Sequence, residues 1–334
     1  MAELSIILVN WNCLDFTEQC IASIQSVITD LDYEVIVVDN ASEDAPCLSL
    51  KEKFPWVRLI LSEENVGFGR GNNLGVKESS GEYLFILNPD TVLRRGAVES
   101  MLEILKSRPE IGAVGCRLLN SDGTVQLSSV QTFPTIANQF LAIESLQRRF
   151  PHWSLWGKRP LYIRSAAGID EVDVVSGAAL MIKRNGFDRV GGFNRTYFMY
   201  AEEVELCHAL RLVGLKVLHC SEAEIIHLGG QATKKCENGF VEAAMRDSVY
   251  RFLLRTRGKV YASLYRLSMV TGAGFRLIML LLFSPATILM GFPIRRERFT
   301  QIFGKWWRIA RWGLTSEAAP YNFHRVNKQE ILIE

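Results

Sequence analysis

The sequence predicts an α/β fold: a doubly wound, mostly parallel sheet, followed by a C-terminal helical extension that is both basic and apolar. Three observations carry this. Over residues 4–88, short runs rich in Ile, Val, Leu and aromatics alternate with stretches of helical length. Polar residues stand at the carboxyl ends of those runs, where open α/β sheets bind ligands. The positive charge is gathered late: Arg246 to Arg311 holds 13 Lys/Arg against 2 acids, leaving 25 basic and 34 acidic residues elsewhere.

The elements follow in order. "LSIILVN" (4–10), "YEVIVVD" (33–39), "VRLILS" (57–62) and "YLFILN" (83–88) read as strands buried on both faces, as in a parallel sheet. Stretches of helical length lie between them, at about 14–28, 43–53 and 69–79, as right-handed crossovers require. A further helix (about 95–107) and the strand "IGAVGCRLL" (111–119) come next. Residues 130–170 lose periodicity and collect aromatic and basic residues, as in "RRFPHWSLWGKRPLY"; a loop of that length is usually functional. "VDVVSGAALMIKR" (172–184) restores regular structure. In the helix at 200–214, Val204, Leu206, Ala209, Leu210 and Val213 form one apolar face. The strand "KVLHCSEAEIIH" (216–227) ends at His227.

The composition, 48% apolar and 22% charged, excludes a disordered or fibrous chain. Seven cysteines show no C-x-x-C pair, which fits buried thiols in a reducing compartment better than zinc or disulfides. The apolar start lacks a basic flank and runs into Asn12, so no secretory leader and a cytoplasmic setting are expected. "LIMLLLFSPATILMGF" (277–292) has 16 uncharged residues, short of the roughly 20 that span a bilayer, and Pro285 interrupts it. Interleaved with Arg, Lys and tryptophans 306, 307 and 312, it predicts an amphipathic segment on an anionic membrane surface through 246–312. A helical subdomain with solvated charges is the plainer reading. No nucleic-acid recognition motif is present.

Asn10, Asp39-Asn40, the loop from Ser62, and Asn88-Pro89-Asp90 should converge at the strand ends. "NVGFGRGNNLG" (65–75) opens a helix after a strand, yet its G-x-G-x-G spacing puts Asn72 where the dinucleotide fingerprint has Gly. Alone it reads as a flexible turn or as a polar loop beside a ligand. Asp39 suits a nucleotide's base or ribose, or an Asx-turn. "NPD" is a turn former, and Asp90 is also a hard oxygen ligand for a divalent cation. Glu202, Glu203 and Glu205 suit a helix N-terminus by its dipole alone, or a general base. His227 is a strand-end histidine or a metal ligand.

Together these segments are more specific than any one of them. "SIILVNWN", "VVDNASED", "ENVGFGRGNNLG", "FILNPDTV", "VSGAALMIKR", "GGFNRTYFMYAEEVELC" and "IIHLGGQAT", in that order over residues 4 to about 233, resemble glycosyltransferase family 2, in its rhamnosyltransferase-like branch. The resemblance implies a GT-A domain over 1–239, with a nucleotide-binding half (1–120) merged with an acceptor and catalytic half (121–239), and a membrane-associating extension over 240–334. It implies inverting, metal-dependent transfer from a nucleotide-diphosphate sugar, dTDP-rhamnose favoured, to a glycan or lipid-linked glycan in bacterial surface polysaccharide synthesis. The enzyme would work on the inner face of the cell membrane.

Carried over by residue, Asp39 would contact the base, and Val9, Asn10, Asn65, Gly67, Asn72 and Asn88 would line the nucleotide. Asp90 matches the last acid of the family's Asp-x-Asp motif and, with His227, would hold Mg²⁺ or Mn²⁺. Gly177, Tyr200 and Glu205 would border the donor and acceptor pocket. Glu203 takes the place of the presumed base, with Glu202 the alternative. Two positions depart from the pattern: Asn88 replaces the first Asp, and the base is Glu rather than Asp. A nucleotide-sugar-processing enzyme of another type, or a silent binding scaffold, are the competing readings.

Overall fold

The computed structural model describes residues 2–43, 47–141, 149–150, 153, 168–230, 240–289 and 296–315; at 240, 283–289 and 296–298 it describes backbone alone. Most of the "RRFPHWSLWGKRPLY" stretch, Asp44, and the last residues of "IIHLGGQAT" lie outside the described residues. Two compact units are formed, residues 1–133 with 143–234, and residues 134–142 with 235–334.

The first unit is built on one sheet. Its strands are β1 (Leu4–Asn10), β2 (Tyr33–Asp39), β3 (Arg58–Leu61), β4 (Tyr83–Leu87), β5 (Thr91–Leu93), β6 (Ile111–Leu119), β8 (Ile169–Glu171), β10 (Ala179–Lys183) and β11 (Lys216–His227). They run in the order β3-β2-β1-β4-β10-β6-β11-β5, with β8 also on β11; β7 (Val130–Gln131) and β9 (Val174–Val175) make a separate antiparallel pair. The left half, β3-β2-β1-β4, is parallel throughout. β10 is antiparallel to both β4 and β6, and β5 is antiparallel to β11, so the sheet is mixed.

Helices α1 (Leu14–Val27), α2 (Ser49–Lys53), α3 (Phe68–Lys77) and α4 (Ala97–Ser107) connect the early strands. β1 is buried along its whole length, as a central strand packed on both faces should be. Cys20, Ile21 and Ile24 of α1 pack against Leu8 and Phe85 on one face, joined by Met101 of α4. Each such side chain, taken out of water, contributes about 1.5–3 kcal/mol. On the other face α3 lies close on β1. A Cβ at Gly71 would stand 2.9 Å from a Val9 methyl, and one at Gly75 would stand 2.5 Å from Ile7. Those two glycines are thus a packing stripe and not a phosphate fingerprint.

Several expectations need correction. The regular structure expected over 172–184 consists of β9, a turn at Ser176–Ala178, and β10. β3 is an edge strand, with Leu61 more than half exposed, rather than buried on both faces. β5, directly after Asp90, was hidden in the turn pattern of "NPDTV". α2 begins only at Ser49.

Later elements of the first unit are α6 (Arg184–Arg189) and α7 (Glu202–Leu212). The second unit holds α5 (Ile136–Phe140), α8 (Phe240–Leu289) and α9 (Arg296–Leu314). α8 is two helical stretches meeting at Gly258, whose φ of 82° breaks the ladder. Tyr265, Met269 and Ala273 of α8 are buried, as are Ile309 and Trp312 of α9. Arg266 lies over the Trp312 ring and donates to the Trp312 carbonyl at 2.9 Å.

Candidate active site

The parallel register sets Asn10 beside Asp39 at the ends of β1 and β2. The Asn10 amide donates to Asp39 Oδ1 at 3.0 Å, and the Ser42 hydroxyl donates to the same oxygen at 2.6 Å. Thr17, in the first turn of α1, donates to Asn10 Oδ1 at 2.8 Å, so the amide cannot rotate away. Asp39 is therefore a buried carboxylate held by donors from two directions.

Asn40 continues the network. Its amide donates to Asn65 Oδ1 at 2.8 Å and accepts from the Val66 backbone at 2.9 Å. Asn65 in turn accepts from the Gly67 N–H at 3.0 Å. Gly67 has φ 84°, and a Cβ there would stand 2.1 Å from the Phe198 carbonyl oxygen, so no other residue fits. The Phe68 N–H donates to that carbonyl at 3.0 Å, Asn73 bonds Phe193 in both directions, and Arg70 donates to the Arg195 carbonyl. The glycine-rich loop is thereby clamped to the turn that precedes α7.

That turn is strained. Tyr200 and Ala201, with φ of 71° and 63°, occupy the left-handed region in succession. Non-glycine residues there cost of order 1–3 kcal/mol each and collect at functional sites. The strain sets the start of α7 and places Glu202 inward, only 1% exposed, under Gly69. Glu202 Oε1 has no hydrogen-bond partner. Burial, with Glu203 alongside, pushes its carboxyl up to about 8. Glu203 is half-buried and bonded by Gln131; a Cβ on Gly177 would lie 3.5 Å from its own Cβ. Desolvation raises its carboxyl too.

The end of β4 and the end of β11 meet at a third group. β11 pairs with β5 so that His227 stands beside Thr91, and the Leu228 N–H donates to the Asp90 carbonyl at 2.8 Å. His227 Nε2 is 3.3 Å from Asp90 Oδ1 and 3.4 Å from the Asn88 amide. Its other ring nitrogen, Nδ1, is 2.9 Å from Gln126 Oε1. One carboxylate oxygen and one imidazole nitrogen, both nearly buried, make a hard and a borderline donor converging on a point. Such a pair fits Mg²⁺ or Mn²⁺ provided a ligand adds oxygens. Among the described residues, no three His, Cys, Asp or Glu gather.

Of the remaining expected residues, Val9 packs with Ile36 and Val38 and against the Gly71 position. Asn72 is fully buried, its amide donating to the Phe68 carbonyl at 3.0 Å and its Oδ1 unpartnered. Glu205 accepts from Tyr197 Oη at 2.9 Å and from the Asn194 amide at 3.5 Å. Asn40 was expected at the strand ends, whereas Ser42, Gln131 and Gln126 were not foreseen in these roles; of these three, Ser42 sits inside the segment "VVDNASED" already singled out.

Comparison with known proteins identifies the family and the fold. The sequence profile described as "Glycosyl transferase family 2" matches residues 5–191, more than half of the chain. The chain is 27% identical over 263 residues to the N-acetylglucosaminyl-diphospho-decaprenol L-rhamnosyltransferase of Mycobacterium tuberculosis, covering 75% of this chain and 83% of that one. It is 23% identical over 266 residues to the rhamnosyltransferase WbbL of Escherichia coli (75% and 93% covered). Among solved structures, the mannosyltransferase PcManGT of Pyrobaculum calidifontis, in complex with GDP-Man and Mn²⁺, superposes with a TM-score of 0.56 at 16% identity over 93% of this chain and 86% of that one. GalNAc-T7 with UDP, GalNAc and Mn²⁺ also gives 0.56, at 12% identity, over 76% of this chain and 48% of that one, so this chain spans about half its length. The fold is GT-A, and the chain belongs to glycosyl transferase family 2.

Proposed function

We propose that the chain is an inverting transferase that moves a sugar, rhamnose favoured, from a nucleotide-diphosphate donor to a hydroxyl of a lipid-linked glycan. The observation that carries this is the pair at the start of α7: a buried Glu202 held neutral beside a half-buried Glu203 against Gly177. Two adjacent carboxylates do not both ionise easily in one desolvated place. Glu202, the deeper one, keeps its proton, and Glu203 is left as the base.

Glu203 takes the proton of the acceptor hydroxyl. The acceptor oxygen bonds to the anomeric carbon from the face opposite the diphosphate, and the bond to the diphosphate oxygen breaks with its electrons. Burial raises the Glu203 carboxyl, in the direction that favours its use as a base. Asp90 and His227 would hold Mg²⁺ or Mn²⁺, which when bound neutralises charge on the leaving diphosphate. Asp39, fixed by Asn10 and Ser42, receives the nucleotide base, and the Asn40–Asn65 network shapes its border. Rhamnose and a lipid-linked acceptor are supported by what the mycobacterial relative's name says of that protein.

The second unit would hold the enzyme on the inner face of the membrane. Within α8, Val241–Leu282 contains one 18-residue window apolar enough to cross a membrane by length and composition. Its exposed Val260, Leu264, Leu267, Phe275, Ile278 and Leu282 recur at helical spacing as one stripe, which suits an in-plane helix. No acid occurs between Asp247 and Glu297, which favours anionic lipid. The full-length protein is expected to sediment with anionic vesicles at moderate salt and not with neutral ones.

A panel of labelled nucleotide sugars tests the activity. dTDP-rhamnose is expected to release nucleoside diphosphate and to leave its sugar on the acceptor with inverted anomeric configuration. Release of pyrophosphate would instead indicate a nucleotidyltransferase. Binding without turnover of any donor would leave a silent scaffold.

A further inference from the structure

Gln126 lies beside the Asp90–His227 pair, and its backbone is tethered on both sides. Its N–H donates to the Leu118 carbonyl at 2.8 Å, and its carbonyl accepts from Ser129 Oγ at 2.8 Å. Ser129 Oγ also accepts from the Leu118 N–H at 3.0 Å. The turn between them is closed by Asn120 N to Thr124 O at 2.8 Å and by Asp122 Oδ1, which accepts from Thr124 twice. From this fixed base the side-chain amide reaches His227, 101 residues away in sequence, at two points.

The two contacts decide a tautomer. Gln126 Nε2 donates to the His227 carbonyl oxygen at 2.6 Å, and a carbonyl oxygen only accepts, so the amide nitrogen must face it. Oε1 is then the atom 2.9 Å from His227 Nδ1. Since an amide oxygen also only accepts, Nδ1 must carry the ring hydrogen. In the neutral ring Nε2 then carries the lone pair, 3.3 Å from Asp90 Oδ1 and 3.4 Å from the Asn88 side-chain nitrogen. The lone pair is then on the ring nitrogen nearest the Asp90 carboxylate, the arrangement that a cation ligated by both residues would need.

We propose that Gln126 is a positioning residue for a divalent cation, locking the His227 ring with Nε2 as the ligand atom. This rests on the reading that Asp90 and His227 hold the cation. A hydrogen-bonded partner on the far ring nitrogen fixes orientation and raises ligand basicity, and its loss typically costs 10–100-fold in metal affinity. The competing role is structural: Gln126 would merely staple its loop to the end of β11.

Two readouts separate these roles without measuring turnover. In metal-free protein labelled with ¹⁵N-histidine, long-range ¹H–¹⁵N correlation in mildly alkaline buffer should show His227 with its hydrogen on Nδ1. The resonance is assigned by its loss in His227→Ala. Hydrogen on Nε2 in the unaltered protein overturns the proposal with no further variant needed. Mn²⁺ titration followed by electron paramagnetic resonance, with nucleoside diphosphate present, gives the second readout. Gln126→Leu should weaken Mn²⁺ about 10–100-fold and mix the tautomers. Gln126→Glu keeps an acceptor for Nδ1–H while losing the donor to the His227 carbonyl, and should bind Mn²⁺ more tightly than Gln126→Leu. Gln126→Leu binding Mn²⁺ normally, or Gln126→Glu binding as weakly as Gln126→Leu, reduces Gln126 to a staple. If Asp90→Ala and His227→Ala leave Mn²⁺ affinity unchanged, the cation reading itself fails, whatever Gln126 does.

Discussion

Two buried acids in the same domain have opposite surroundings. Asp39, at the tip of β2, is 7% exposed and accepts hydrogen bonds from Asn10 and Ser42. Glu202, at the start of α7, is 1% exposed, and one of its carboxyl oxygens has no partner. The two acids differ in the donors around them rather than in depth. The Asp39 side is a finished receptor, rigid before any ligand arrives. The α7 side is strained at Tyr200 and Ala201 and short of hydrogen bonds at Glu202, the condition of a site that does chemistry.

The largest break in this comparison comes from removing the base. Glu203→Gln is expected to lower kcat about 10²–10⁴-fold, while calorimetry finds nucleoside diphosphate affinity unchanged, because the receptor around Asp39 is untouched. Loss of nucleotide binding along with turnover would mean that the two regions are not independent.

A second test sharpens the difference through pH. Glu202 is raised from its ordinary 4.5 to about 8, so its contribution is full below pH 4.5 and is lost as pH rises through 8. His219, fully buried in β11, is lowered by burial from 6.5 to about 4, so stability falls as pH drops through that range. Between about pH 4.5 and 6.5 the two slopes oppose each other, each worth about 1.4 kcal/mol per pH unit per proton. Glu202→Gln should therefore shift the balance towards rising stability with pH in that interval and reduce the loss between about 6.5 and 8 to what Glu203 contributes. Urea melts across pH check this. A variant whose curve overlays the parent's at every pH would show that Glu202 is ionised when folded.

Much of this was legible in the sequence, for physical reasons that differ along the chain. β1, β2, β4 and β6 were visible because burial on both faces demands continuous Ile, Val and Leu. The tip residues Asn10, Asp39 and Asp90 followed, since a parallel sheet must end its strands together. β5 and the insertion of β10 between β4 and β6 were not legible: pairing partners are chosen by non-local contact, and "TVL" carries no periodicity. Nor was Gln126, whose role exists only through a contact 101 residues away. Glycines 71 and 75 invited a ligand reading that packing explains better.

A smaller effect is expected where the two regions are joined. Gly67→Ala puts a methyl 2.1 Å from the Phe198 carbonyl at φ 84°, so the loop must part from the turn before α7. Overpacking of this kind costs about 1–3 kcal/mol. Thermal denaturation should show the loss, and kcat should fall more than nucleotide affinity, because the strain falls on the α7 side.

The smallest expected effect tests whether the Asp39 side is as complete as its hydrogen bonds imply. Ser42→Ala removes one donor to Asp39 Oδ1, and the acceptor that Ser42 Oγ offers to the Asn12 N–H at 2.9 Å. Asn10 still donates to the carboxylate and remains held by Thr17, so Asp39 is not left unpaired. The loss should be about 1 kcal/mol of stability or nucleotide affinity, read by melting and calorimetry, with kcat unchanged. A much larger loss would mean that the receptor depends on one hydroxyl and is as precarious as the α7 side. A loss confined to kcat would tie Asp39 to the chemical step, and the division between a finished receptor and a strained reaction centre would no longer hold.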